Sequence, residues 1–275
     1  MKIKHRVCVN ATGGQARALL RYGIRHEDRG NGLMVFTVDE DDPSWPALAS
    51  LIAGSGTSQI VLTEFTTEEL AQAQQLRMGP NWHHAYPQPE EGYEKTTYDD
   101  TEKCTTCGIG LKQKAPFRLL REPKWGGRHI LQLNWVMDEF FVTPGAWQGV
   151  FSPFGVGCLP VMNHKTGRPL STAVQLQVPF STTSVLEPGG FLRETCPECR
   201  RSKLCGAAPG RFPHVDLPPN THMAKTPDYF GPKPGDGPVA WHEVILSGVL
   251  YKAIVSHKFR GATFDVVAAP GQPRR

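Results

Sequence analysis

No apolar run in this 275-residue chain is long enough to cross a bilayer. The longest, Val244 to Val255, is broken by Ser247 and Lys252, whereas a spanning helix needs about 20 apolar residues. The basic start, Met1-Lys-Ile-Lys-His-Arg6, is not followed by a continuous apolar segment, so a cytoplasmic protein without membrane contact is expected. A strong excess of one charge is missing too: 30 Lys and Arg face 26 Asp and Glu, a net of +4. That sum is too mild to imply nucleic acid, since a solvated surface gives the same balance. Gly13-Gly14 lacks both the G-x-G-x-x-G spacing and a Walker lysine, which argues against a glycine-rich phosphate loop. There is no H-E-x-x-H, of which Trp241-His242-Glu243 is only the first half, and no H-x-E to accompany a P-C-x-x-C. The usual zinc-protease and zinc-deaminase arrangements therefore fall away. Seven cysteines, an odd number, suit no secreted disulfide scaffold.

What is present reads as a globular α+β chain. Hydrophobic residues make up 39% and charged residues 20%, and a chain of this length buries a substantial core without covalent staples. Ile3, His5 and Val7 alternate with Lys4 and Arg6, the period of a strand, and Leu33 to Val38 is a second candidate. Asp42-Pro43 predicts a helix start with Trp45, Leu48, Leu51 and Ile52 on one stripe. Ile60-Val61-Leu62 predicts a short buried strand. Thr66 and Glu69 have capping-box spacing, with Phe65 and Leu70 as the staple, and Gly79-Pro80 is the expected stop of that helix. These signals predict a small N-terminal α/β unit over residues 1–90.

Residues 91–275 predict a second, β-rich domain. Leu131, Leu133 and Trp135 alternate with polar residues, as do Val174, Leu176 and Val178. Thr143-Pro144 can cap a short helix carrying Trp147, Val150 and Phe151, residues 207–238 are proline-rich and irregular, and Gly248 to Phe259 is helix-like before a strand at Thr263 to Val267. Cys8 and Cys158 sit in apolar strand-like contexts and are expected in the core, as are Trp125, Trp135, Trp147 and Trp241. His83-His84 is expected to be polar surface.

Two motifs carry chemistry: Cys104-Thr-Thr-Cys107-Gly108 and Cys196-Pro-Glu-Cys199-Arg200. A C-x-x-C turn aims two thiolates at one point, and two such knuckles complete a tetrahedral zinc site. Gly108 stands where such turns need a positive φ, which glycine adopts cheaply. Nearly ninety residues lie between the pairs, so Cys104, Cys107, Cys196 and Cys199 are expected to hold a structural Zn²⁺ that clamps the ends of an inserted β-rich block. Lys103, Arg200, Arg201 and Lys203 either offset the −2 charge of a four-thiolate zinc site or form a solvated face. A redox dithiol would open a good helix after its second cysteine, and Arg-Arg-Ser-Lys-Leu-Cys-Gly is a poor one. Cys205 is either a substitute ligand or an inert thiol.

Together, Cys104-x-x-Cys107-Gly108, Trp135-Val-Met-Asp138, Gln175-Leu-Gln-Val178 and Cys196-x-x-Cys199 are similar to the bacterial double-CXXCG motif proteins. The closing pattern Val244-Ile-Leu-Ser247, Ile254-Val-Ser256 and Gly261-Ala-Thr-Phe264-Asp-Val266 fits the same layout. The resemblance covers roughly residues 95–270, with Arg200 in place of the second glycine. It implies a protein-binding role, and members of that family include immunity proteins that protect a cell against a toxin delivered by kin. The expectation is a non-enzymatic, zinc-stabilised protein-binding module of this kind. The alternative is a nucleic-acid-binding zinc-ribbon protein, favoured by Arg193, Arg200, Arg201, Lys203 and Arg211 around the second knuckle.

Overall fold

The computed structural model describes all residues except 11–20, 23–24, 32, 54–57, 182–189, 207–208 and 275. Gly13-Gly14 lies outside the described residues. The architecture is mixed α+β, mostly strands with few helices. The N-terminal sheet has the strand order His26–Asp28, Leu33–Asp39, Lys2–Asn10, Ser58–Glu64, and every pairing in it is antiparallel. Its inner face carries Val7, Val9, Phe36 and Val38 against Leu48 and Ile52 of the helix Trp45–Ala53. That helix starts later than Asp42-Pro43 predicts. The Asp42 carboxylate accepts from the Ser44 N–H at 2.8 Å and closes a turn instead, and Ser44 supplies the first helical carbonyl to Leu48 N–H. Nor is the strand at Ile60-Val61-Leu62 buried. Ile60 and Leu62 pair opposite Arg6 and Lys4 on the outward face, 53% and 45% exposed.

The capping box forms as its spacing requires. Thr66 Oγ1 accepts from Glu69 N–H at 3.2 Å, and the Glu69 carboxylate accepts from Thr66 N–H at 2.9 Å. Replacing Thr66 by Ala is expected to cost about 1 kcal/mol, read as a lower denaturation midpoint; an unchanged midpoint would show that the cap contributes nothing.

The helix behind that cap, Thr67–Gln72, is shorter than Gly79-Pro80 predicts, because Gln75–Pro80 is a strand. It lies between Val244–Ser247 and Ala262–Val266, antiparallel to both, with Met223–Lys225 beyond Val244–Ser247. Arg77 bonds Asp265 at 3.0 Å through Nε and lies 3.4 Å from Glu243 on the other side. The unit expected over residues 1–90 is thus crossed by a pairing: its last strand is an inner member of a sheet whose other strands all lie beyond residue 220. Tertiary pairing overrides local helix propensity here. Gly248 marks the junction, since its N–H bonds Gln74 O at 2.7 Å and any Cβ would sit 2.1 Å from Ala73 O.

This sheet shares the largest core with the helix Gly248–Ser256 and the turn Trp147–Phe151, through Leu76, Met78, Val150, Phe151, Leu246 and Leu250. The Thr143 hydroxyl caps the turn as predicted, accepting from Ala146 N–H. A five-stranded sheet with Gly157–Asn163 and Pro169–Gln177 at its centre borders a second core around Phe117, Leu133 and Phe141. The predicted strand through Trp135 ends early: Ile130–Leu131 is paired, but Trp135 has φ of 67° and is 54% exposed. Cys8 and Cys158 are half-buried and not core residues.

Candidate metal centre

Each C-x-x-C segment folds into the same knuckle. Gly108 N–H bonds Cys104 O at 2.8 Å, and Arg200 N–H bonds Cys196 O at 3.0 Å. One step on, Cys104 N–H bonds Ile109 O and Cys196 N–H bonds Arg201 O, both at 2.9 Å. The residue after each second cysteine is left-handed, φ 81° at Gly108 and 61° at Arg200. Arg200 adopts this conformation without glycine, with its side chain exposed. Gly108 has no such latitude: a Cβ there would lie 2.3 Å from Pro238 O.

The two knuckles bring Cys104, Cys107, Cys196 and Cys199 together, with all four sulfurs within 4.8 Å of one another. Cys104 Sγ lies 3.8 Å from Cys196 Sγ, and Cys107 Sγ lies 3.6 Å from Cys199 Sγ. A tetrahedral zinc ion with bonds of about 2.3 Å sets neighbouring sulfurs about 3.8 Å apart, so the donor set and its spacing fit one such ion. Ile109, Tyr229 and Ala240 pack around the thiols, and Cys107 and Cys196 are fully buried.

The electrostatics favour thiolates at one side of the cluster first. Burial pushes the Cys107 thiol up to about 12. Burial also acts on Cys199, but the Arg201 backbone N–H and guanidinium outweigh it and hold that thiol down to about 6. Arg201 further donates to Glu102 O and Ile109 O, tying the second knuckle to the first. Lys203, 1% exposed, donates to Cys107 O at 3.1 Å and Val239 O at 3.0 Å. Lys203 is therefore a buried brace, while the half-buried Arg201 bonds both knuckles and faces Cys199. Cys205 stands apart: buried on the strand Ser202–Cys205, it points its thiol at Pro232 O, 3.4 Å away. His83 and His84 join no metal cluster among the described residues.

Beside the knuckles lies a cleft of about 1270 Å³. Gly108 and Val239 contribute one wall, so the metal centre and the cleft share a boundary. At its floor Lys225 Nζ pairs with Glu139 Oε1 at 2.5 Å and lies 3.5 Å from Asp138 Oδ2. Gln175 donates to Glu139 Oε2 at 3.0 Å and exchanges hydrogen bonds with Gln113. Burial works against the Lys225 ammonium, but Asp138 and Glu139 raise its pKa and keep it charged. Burial also holds His242 below the ordinary histidine range, leaving the ring neutral. Sequence reading missed this cluster, although it leaves a trace: Asp138-Glu139 interrupts the apolar run from Val136 to Val142.

These features define a mixed α+β protein, mostly strand, in which two CxxC knuckles converge on one candidate four-cysteine metal site. Compared with protein-family models and with curated proteins, the chain gives no match in either case. Among the described residues no helix is long and apolar enough to cross a membrane.

Proposed function

We propose that the chain is a non-enzymatic protein-binding module of the immunity type, stapled by one structural zinc ion on Cys104, Cys107, Cys196 and Cys199. The observation that carries the zinc reading is the four-thiol cluster itself. Four cysteine ligands fill a tetrahedral zinc sphere and leave no position for water or substrate, the hallmark of structural sites. The ion would supply cross-linking of the two knuckles and nothing more. Protein purified without added metal is expected to contain about one zinc per chain by elemental analysis; metal-free protein with four freely titrating thiols would refute it.

The immunity reading rests on the resemblance of the cysteine pairs and their surroundings to the double-CXXCG proteins. It has a direct test. A toxin gene found beside the gene for this chain should kill cells that express it alone and spare cells that co-express this chain, and the two proteins should co-purify at high salt. Death of both strains rejects the reading.

The nucleic-acid alternative draws less support from the geometry. Of the five cations that favoured it, Lys203 and Arg201 brace the knuckles, Arg193 lies 3.4 Å from Asp228, and Arg211 donates to Pro273 O. Binding to phosphate would weaken steeply with salt, whereas an interface with an apolar centre would not.

A further inference from the structure

A second depression, far smaller than the cleft, opens where three segments meet. One is the end of the strand Gln75–Pro80 with Asn81, one is the turn 125–128, and one joins the helix Gly248–Ser256 to the strand Ala262–Val266. Its volume is about 360 Å³, at the lower end of the roughly 300–1,000 Å³ typical of small-molecule sites. Arg128 and Arg260 both line it, and no Asp or Glu does. The imbalance extends outward along the chain. Residues 79–84, 123–130 and 255–262 carry Lys124, Arg128, Lys258 and Arg260 and no carboxylate. The next acids on either side are committed elsewhere: Glu122 accepts from Ser171 and Thr172 N–H at 2.7 and 3.1 Å, and Asp265 pairs with Arg77. Among the described residues neither guanidinium is in an ion pair. A depression lined by charge of one sign concentrates ions of the other.

The two arginines are held in a fixed relation. Gly126 and Gly127 have φ of 53° and 77°, the left-handed pair that a tight type I′ turn requires, and Arg128 N–H closes the turn on Trp125 O at 2.9 Å. The Arg128 guanidinium lies over the Trp82 ring, 4.9 Å from its centre, where cation–π attraction steadies it. Arg260 is tied to the same turn, since its carbonyl accepts from His129 N–H at 2.9 Å and Ile130 N–H at 3.1 Å. Gly261 permits that approach: a Cβ there would lie 1.8 Å from Ile130 O. At the tip, a Cβ on Gly127 would meet nothing within 4 Å, so the mouth is open. Two like charges lining one depression repel, and a bound anion removes that repulsion.

We propose that this depression binds the phosphate group of a small phosphate monoester, with Arg128 and Arg260 donating to its oxygens. Planar guanidinium forks match phosphate oxygens two at a time. A monoester carries close to two negative charges at neutral pH, which balances two guanidiniums. A nucleic-acid strand carries one charge per phosphate and is bound along an extended groove, whereas these cations surround a single depression. Half-buried Phe259 in the wall offers apolar surface to the rest of the ester. The site stands independently of the zinc centre and of the function proposed above.

The test is calorimetric titration of the whole chain with phenyl phosphate, phenol and octathymidylate at physiological salt. Phenyl phosphate is expected to bind saturably and phenol not at all. Arg128→Gln and Arg260→Gln should each weaken phenyl phosphate at least about tenfold, the loss of one charge-assisted contact. Their melting temperatures should stay unchanged, because both side chains are exposed. Absence of phenyl phosphate binding, or equal binding of phenol, overturns the proposal. Binding that survives both substitutions places the anion elsewhere and overturns it too. Octathymidylate binding more tightly than phenyl phosphate, with loss in the same two variants, would assign the depression to a nucleic-acid backbone instead. The comparison of phenyl phosphate with phenol uses the unmodified chain, so it decides the matter even if a variant fails to fold.

Discussion

Replacing Cys196 by Ser is expected to drop zinc from about one per chain to near zero and to destabilise the knuckle region by several kcal/mol. Cys104 and Cys196 stand 92 positions apart, and closing a loop of that length costs on the order of 4 kcal/mol in chain entropy. Apparent zinc–thiolate binding free energies of about 10–16 kcal/mol exceed that cost, so a bound zinc ion would hold the knuckles together. Limited proteolysis reads the outcome. New cleavage should appear between Cys107 and Cys196, while the N-terminal sheet up to Glu64, which has its own core around Val7, Phe36 and Leu48, stays protected. A metal-free variant as protease-resistant as the parent would show that the fold does not need the ion.

Replacing Lys225 by Met removes the one ammonium that, among the described residues, pairs with Glu139 and Asp138 at the cleft floor. Breaking a buried pair from one side leaves an uncompensated charge, and the expected loss is about 3–5 kcal/mol. Its pH dependence has a defined sign. Burial already raises the Glu139 pKa, and Lys225 is the main opposing influence, so the variant's carboxyl rises further. A carboxyl whose folded pKa lies above its unfolded value gives stability below the unfolded pKa and loses it as pH rises through the folded one. The variant should therefore recover on acidification toward the ordinary carboxylate range and be weakest at neutral and alkaline pH. The double substitution Lys225→Met with Glu139→Gln should restore most of the loss at pH 7. Chemical denaturation at several pH values checks this, and a flat profile would mean that Glu139 is not held charged by Lys225.

The features legible in the sequence are those whose causes lie within a few residues. The Thr66–Glu69 cap and each C-x-x-C knuckle are local hydrogen-bond patterns, and they form where spacing places them. Errors arose where a distant partner decides. Nothing near Met78 reveals that Val244 and Phe264 will flank it, so residues Gln75–Pro80 read as helix and fold as strand. Trp135 reads as a core aromatic because its pattern alternates, yet its left-handed backbone turns it outward onto Tyr86 and Tyr93. The cleft floor was invisible for the same reason: Gln113, Glu139, Gln175 and Lys225 come from four separated segments and meet only in the finished fold.

The strand Gln75–Pro80 also sets a timetable for synthesis. Arg77 meets Glu243 across 166 positions and Asp265 across 188. At about 5–20 residues per second, the nascent strand waits roughly eight to thirty-three seconds before either neighbour has been made. Throughout that interval Leu76 and Met78, which end fully buried, have no sheet to cover them. The N-terminal sheet can close early, but the central sheet must form almost last. This six-residue segment is therefore left uncovered for longer than any strand of the N-terminal sheet, and a chaperone that shields it is expected to raise the yield of folded chain more than one acting in the first sixty-four residues.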